Sequence, residues 1–122
     1  RKERALWNAA AVQTGGWLLE TGAGQGATLN YATARGAYAL TDRGTWLFFS
    51  NRGDLNLLFQ GDPALRNEYG ISLINPARHT HVNETAARAF IDWMTGPRGQ
   101  ALIAGYRIDG EQAFFPGGDR AN

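Results

Sequence analysis

Apolar positions recur along this chain at two spacings, and the switches between them lay out its predicted elements. Ala5, Leu6, Ala9 and Ala10 share one face of a helix expected over Lys2 to Ala11, ended by Thr14-Gly15-Gly16. Trp17 to Glu20 is short and extended in character. Glycines at 22, 24 and 26 follow, then a helical segment from Thr28 to Arg35, which Gly36 is placed to cap in the left-handed conformation. Strands are expected at Gly36 to Leu40, Leu55 to Phe59 and Tyr69 to Ile74. The second is closed by Gly61-Asp62-Pro63 and the third is stopped by Asn75-Pro76. Between the first two, Thr41 or Asp42 caps a short helix from Arg43 to about Phe49.

The C-terminal half carries the clearest helical pattern. Asn83 is an N-cap, and Ala86, Ala87, Phe90, Ile91 and Met94 repeat at helical spacing behind it. Gly96 breaks that helix, Pro97 suits the first turn of another reaching Ala104, and Gly105 stands past its end. Gln112 to Phe115 is a final short strand, and the last dozen residues are expected to be the loosest. Helices alternating with short apolar strands predict an α/β layered domain. The aromatic residues lie mostly within apolar runs, Trp46 to Phe49 and Phe90 to Trp93, so core packing is their expected role.

Composition narrows the function. The chain of 122 residues has a net charge of +1 and scattered Arg residues, which excludes a general nucleic-acid or membrane-binding surface. Cysteine is absent, removing disulfides, thiolate metal sites and Cys nucleophiles together. No apolar run approaches the ~20 residues that span a bilayer, and no signal peptide is visible. The opening Arg1-Lys2-Glu3-Arg4 reads as the interior of a longer sequence. Nothing resembles a nucleophile elbow, a paired-carboxylate site or a metal cluster, so no catalytic residue is assigned. His79 and His81 lack a third ligand and read as surface residues.

The turn Gly22-Ala23-Gly24-Gln25-Gly26-Ala27-Thr28-Leu29 is the most informative local feature. Glycines allow backbone to approach a ligand closely, and a helix starting near Thr28 would aim amide groups and its positive dipole end into the turn. Thr21 and Thr28 could add hydroxyl donors. The bland reading is that the glycines only shape a loop. A third reading takes Gly22, Gly24 and Ala27 as G-x-G-x-x-A with Asp42 as a ribose-binding acid, which would make a nucleotide-dependent oxidoreductase. The short, charge-terminated segment before the turn and the brief helix after it count against that. Arg43, at a strand end beside a helix start, either neutralises an anion or pairs with Asp42. Arg52-Gly53-Asp54 reads as an ordinary turn.

Several segments together carry a resemblance. They are Lys2-Glu3 with Leu6-Trp7, Trp17 with Glu20 to Leu29, Ala37 to Thr45, Gly61-Asp62, Asn67 to Gly70, Asn75-Pro76, Phe90 to Met94, Gly99-Gln100 and Phe114 to Pro116. In these the chain resembles the tungstate-binding substrate-binding proteins of ABC importers, within the type II periplasmic binding fold. That resemblance implies two α/β lobes with an oxyanion in the cleft between them. Residues 1–66 would form the core of the second lobe, a three-layer α/β unit, and residues 67–122 would return towards the first lobe, which this sequence lacks. It further implies a tungstate or molybdate ligand, a membrane permease as partner, no cofactor and a periplasmic location. The oxyanion-binding positions it carries over are Gly24, Gly26, Thr28, Thr41 and Arg43. The chain departs from the family in lacking the Thr/Ser-rich anion loop and the Arg-Asp-x-Ser-Gly-Thr type segment expected just before Arg1, and Gln25 stands where the family usually has Met. Tight tungstate binding by this chain alone is therefore not expected. The apolar face of the Asn83–Thr95 helix should be exposed, predicting a homodimer or exchanged segments. A ligand-sensing regulatory domain built on the same lobe is the other alternative.

Overall fold

The computed structural model describes residues 2–117 and is largely helical, with little sheet. It divides into two compact units between Asn67 and Glu68.

The first unit holds three helices: α1 (Lys2–Ala9), α2 (Gln25–Arg35) and α3 (Arg43–Phe48). Helix α2 starts three residues before the expected Thr28, so Gly26 lies inside its first turn. Its C-terminus is as expected: Gly36 adopts φ +59°, and its amide donates to the Ala32 carbonyl. Helix α3 begins after Asp42, which caps it. The core of this unit is small, formed by Leu29 and Ala32 of α2 and Leu47 of α3. Trp7 of α1 meets Trp17 edge to face at 5.3 Å. A 3-10 turn at Pro63–Leu65 is capped by the Asp62 carboxylate.

The second unit is built on α4 (Glu84–Thr95) and α5 (Pro97–Gly105), followed by a two-residue hairpin of β1 (Arg107–Ile108) and β2 (Glu111–Gln112). The Asn83 side chain caps α4 through the Ala86 amide at 3.0 Å, and Pro97 occupies the first turn of α5. The corner between the helices is tight: Gly99 is buried against the last turn of α4, and the Gln100 side chain donates to the Met94 carbonyl at 2.8 Å.

Two sequence expectations are corrected. No ladder runs through 36–40, 55–59 or 69–74; among the described residues β1 and β2 are the paired strands, and the layered sheet of the expected three-layer lobe is not formed. An apolar run becomes a strand only when a neighbour satisfies its outward N–H and C=O groups, and none pairs with these runs among the described residues. Leu58 and Phe59 of the second run are accordingly 72% and 67% exposed. The aromatic runs are core only in part: Leu47 is buried and Trp46 and Phe49 are half-buried, but Phe48 is 81% exposed, and Phe90 and Trp93 stack on one another at the surface. The apolar face of α4 is partly covered: Ala87, Ile91 and Met94 are half-buried, Phe90 is exposed, and no residue of the helix is fully buried. The expectation that the last dozen residues are loosest falls partly outside the described residues.

Candidate functional site

The glycine turn is shaped by two local features. Gly22 lies at φ +61°, a region where a Cβ is strained. Gly24, extended at φ −67° and ψ 166°, is the N-cap of α2, and without a side chain it offers no capping oxygen. The amides of Gln25, Gly26 and Ala27 consequently donate to no group among the described residues. Together with the helix dipole they leave a partial positive charge at the turn, the usual basis of anion binding by helix starts.

Hydroxyl groups flank these amides. Thr21 Oγ1 and Thr28 Oγ1 lie 2.9 Å apart, and the Ala23 amide donates to Thr21 Oγ1 at 3.3 Å. Two hydroxyls carry two protons; one is used between them, leaving one for an outside acceptor.

Thr41 is differently placed. Its hydroxyl donates to Gln25 Oε1 at 2.9 Å, and the amide of Asp42 donates to the same oxygen at 2.7 Å. The segment leading into α3 is thereby tied to the first residue of α2. Asp42 in turn uses both carboxylate oxygens on Thr45, accepting from its amide at 2.7 Å and its hydroxyl at 2.8 Å. Arg43 extends towards the end of the second apolar run, where Nη1 donates to Gln60 Oε1 at 2.9 Å.

The five expected site residues therefore fall in one neighbourhood of the first unit, but they differ in what they offer. Gly24 and Gly26 supply free backbone at the start of α2, Thr28 shares one spare proton with Thr21, Thr41 has its proton committed to Gln25, and Arg43 is held by Gln60. An open groove of about 500 Å³ adjoins them, lined by Gly26 and Asn30 of α2, Gly44, Thr45 and Phe48 of α3, and Asn51. Of the five, Gly26 alone borders it. Open to solvent and flanked by an aromatic ring, it is not the enclosed donor cage that a small oxyanion requires.

The dinucleotide geometry is not met: Trp17–Glu20 forms no strand and Asp42 is occupied as a helix cap, although α2, at eleven residues, is longer than the brief helix expected. The His79 and His81 rings meet edge to face at 6.1 Å, and among the described residues no group of three metal-ligating side chains gathers. Sequence reasoning missed the roles of Gln25 and Gln60, because side-chain bonds that join positions 16 or 17 apart carry no local signal. Arg52 was also missed: it caps the end of α3, donating to the carbonyls of Phe49 and Trp46 at 3.0 Å each.

The chain is 41% identical to a putative ABC transporter anion-binding protein of Haloferax volcanii, over 95% of this chain and 36% of that protein. It is 33% identical to the tungstate-binding protein TupA of Peptoclostridium acidaminophilum over 87% of this chain, and 32% identical to that of Campylobacter jejuni over 93%. The matches cover 37% and 44% of those two proteins, so the chain spans less than half the length of the curated relatives it matches. No family model and no solved structure matches it. Over most of its own length, then, the chain is TupA-like, a relative of the anion-binding proteins of ABC transporters.

Proposed function

We propose that this chain is part of a solute-binding protein that captures an inorganic oxyanion, tungstate first and molybdate second, and delivers it to a membrane permease without chemical change. The observation that carries this reading is the 41% identity, across 95% of the chain, to the Haloferax volcanii protein named a putative ABC transporter anion-binding protein. The start of α2 supports it physically. A tetrahedral oxyanion taken out of water needs several fixed, neutral donors to replace its hydration shell. The uncapped amides of Gln25, Gly26 and Ala27 and the spare proton of the Thr21–Thr28 pair are donors of that kind. On this reading the first unit belongs to a lobe of the type II periplasmic binding fold, its unpaired extended segments complete a sheet there, and the protein works outside the cytoplasm. Binding comes from hydrogen bonds strengthened by exclusion of water as a cleft closes. The protein is then a carrier and not an enzyme.

Titration calorimetry with tungstate, molybdate and sulfate on the intact protein, beside the same titrations on this chain alone, tests the reading. Tungstate binding by the intact protein, with little or none by this chain, is the expected result. Absence of binding to all three oxyanions by the intact protein would overturn it.

A further inference from the structure

We infer that Gln25 is a positioning residue for the anion site, coupling the glycine turn to the entry of α3; this rests on the oxyanion-binding reading above. Three features of its surroundings converge. First, the bonded atom is identified by its partners: the Asp42 amide can only donate, so the Gln25 atom it meets is the carbonyl oxygen and not the amide nitrogen. Second, that single oxygen receives two donors, the Thr41 hydroxyl and the Asp42 amide, using both of its lone pairs. Third, the residue so held is the cap of α3, whose carboxylate binds the Thr45 amide and hydroxyl. A chain of hydrogen bonds thus runs from Gln25, the first residue of α2, to the peptide at Asp42 and on to the first turn of α3.

Two consequences follow for binding. The Thr41 hydroxyl proton points at Gln25, so Thr41 serves as a tether while the donors left for an anion are the α2 amides and the Thr21–Thr28 pair. The segment carrying Arg43 is also fixed relative to those donors, because Arg43 is the first residue of α3, immediately after the tethered peptide. Gln25 is exposed, so an apolar side chain there gains no packing that would hold the same segment. Methionine, with its weak acceptor sulfur and no carbonyl, cannot reproduce the two bonds. Glutamate can accept both.

The test uses Gln25→Met and Gln25→Glu in the intact protein, with two readouts. Hydrogen exchange of the Asp42 amide in the anion-free protein reports the tether itself. It should accelerate roughly tenfold in Gln25→Met, as expected for loss of one such bond, and return towards the wild-type rate in Gln25→Glu. Tungstate affinity, measured well below the melting temperature, reports the positioning role and is a quantity that a merely stabilising contact would leave alone. It should fall about threefold to tenfold in Gln25→Met. Unchanged exchange at Asp42 in Gln25→Met overturns the tether. Accelerated exchange with tungstate affinity within twofold of wild type overturns the positioning role. If wild-type protein binds no oxyanion while the exchange results come out as expected, the functional reading fails and the positioning role falls with it, leaving Gln25 a structural tether.

Discussion

Replacing Gly99 by alanine tests the packing on which the second unit depends. Gly99 is the third residue of α5 and is buried against the end of α4. A Cβ built there stands 2.3 Å from the Trp93 carbonyl oxygen, 2.7 Å from that of Met94 and 2.8 Å from the Met94 Cα. All three are backbone atoms, so no side chain can rotate away; the α4–α5 corner itself must open. Overpacking of this kind costs about 1–3 kcal/mol, and the rigidity of the obstacles argues for the upper end. Opening the corner also strains the bond from the Gln100 side chain to Met94, a contribution of about 1 kcal/mol. Against these stands the helix preference of alanine over glycine, up to about 1 kcal/mol. The net expectation is a loss of about 2–3 kcal/mol. Gly105 is the internal control. It ends the same helix, and a Cβ there meets nothing within 4 Å. Gly105→Ala should therefore be neutral or slightly stabilising. Urea unfolding followed by far-UV circular dichroism, with hydrogen exchange at the Gln100 amide, compares the two. The reasoning is refuted if Gly99→Ala is as stable as Gly105→Ala.

Three further substitutions address the first unit. Arg52→Met removes two charge-assisted bonds to the last carbonyls of α3 and the stacking of the guanidinium over Trp46 at 4.5 Å, and should cost about 2 kcal/mol by tryptophan-monitored unfolding. Lysine, lacking the planar fork, should recover less than half of that loss. Asp42→Ala removes the cap of α3 and should destabilise by about 1 kcal/mol in the same assay, with Asp42→Asn losing much less because its amide oxygen still accepts from Thr45. Glu20 holds the Arg4 guanidinium above its usual pKa, first by a hydrogen bond and then by its charge. A raised cation pKa gives stability that is complete below the ordinary arginine value and lost only as pH climbs through the raised one. Arg4→Gln should therefore leave the pH profile of unfolding unchanged between about pH 5 and 9, and a slope change in that window would contradict the assignment.

What the sequence disclosed and what it hid divide by the range of the interactions concerned. Asn83, Asp42, Gly36 and Pro97 each act within four residues of themselves, so their effects on α4, α3, α2 and α5 could be read from spacing alone. The start of α2 was misplaced by three residues because Gly24 caps it with backbone only, which leaves no polar side chain in the sequence to mark the position. Gln25 with Thr41 and Asp42, and Arg43 with Gln60, meet across loops, and nothing in the intervening residues encodes that they do.

The strand readings failed for a deeper reason of the same kind. Leu55 to Phe59 has the composition of a buried strand, but a strand is a relation between two segments, and its own residues do not name the second. Hydrophobic pattern states a tendency to be covered; it does not state by what. The same holds for Phe48, Tyr38 and the stacked Phe90 and Trp93, which are exposed in a chain whose buried apolar residues are Leu29, Ala32, Leu47 and Ala113 among those described. The site obeys the same logic as the fold. On the oxyanion reading, the α2 amides and the Thr21–Thr28 pair would supply donors from one side, and a tetrahedral oxyanion is desolvated only when donors approach from opposite sides. The uncapped start of α2 was legible because it is local, whereas on that reading affinity and selectivity would be set by groups that face it, which is why the proposed calorimetry compares the longer protein with this chain.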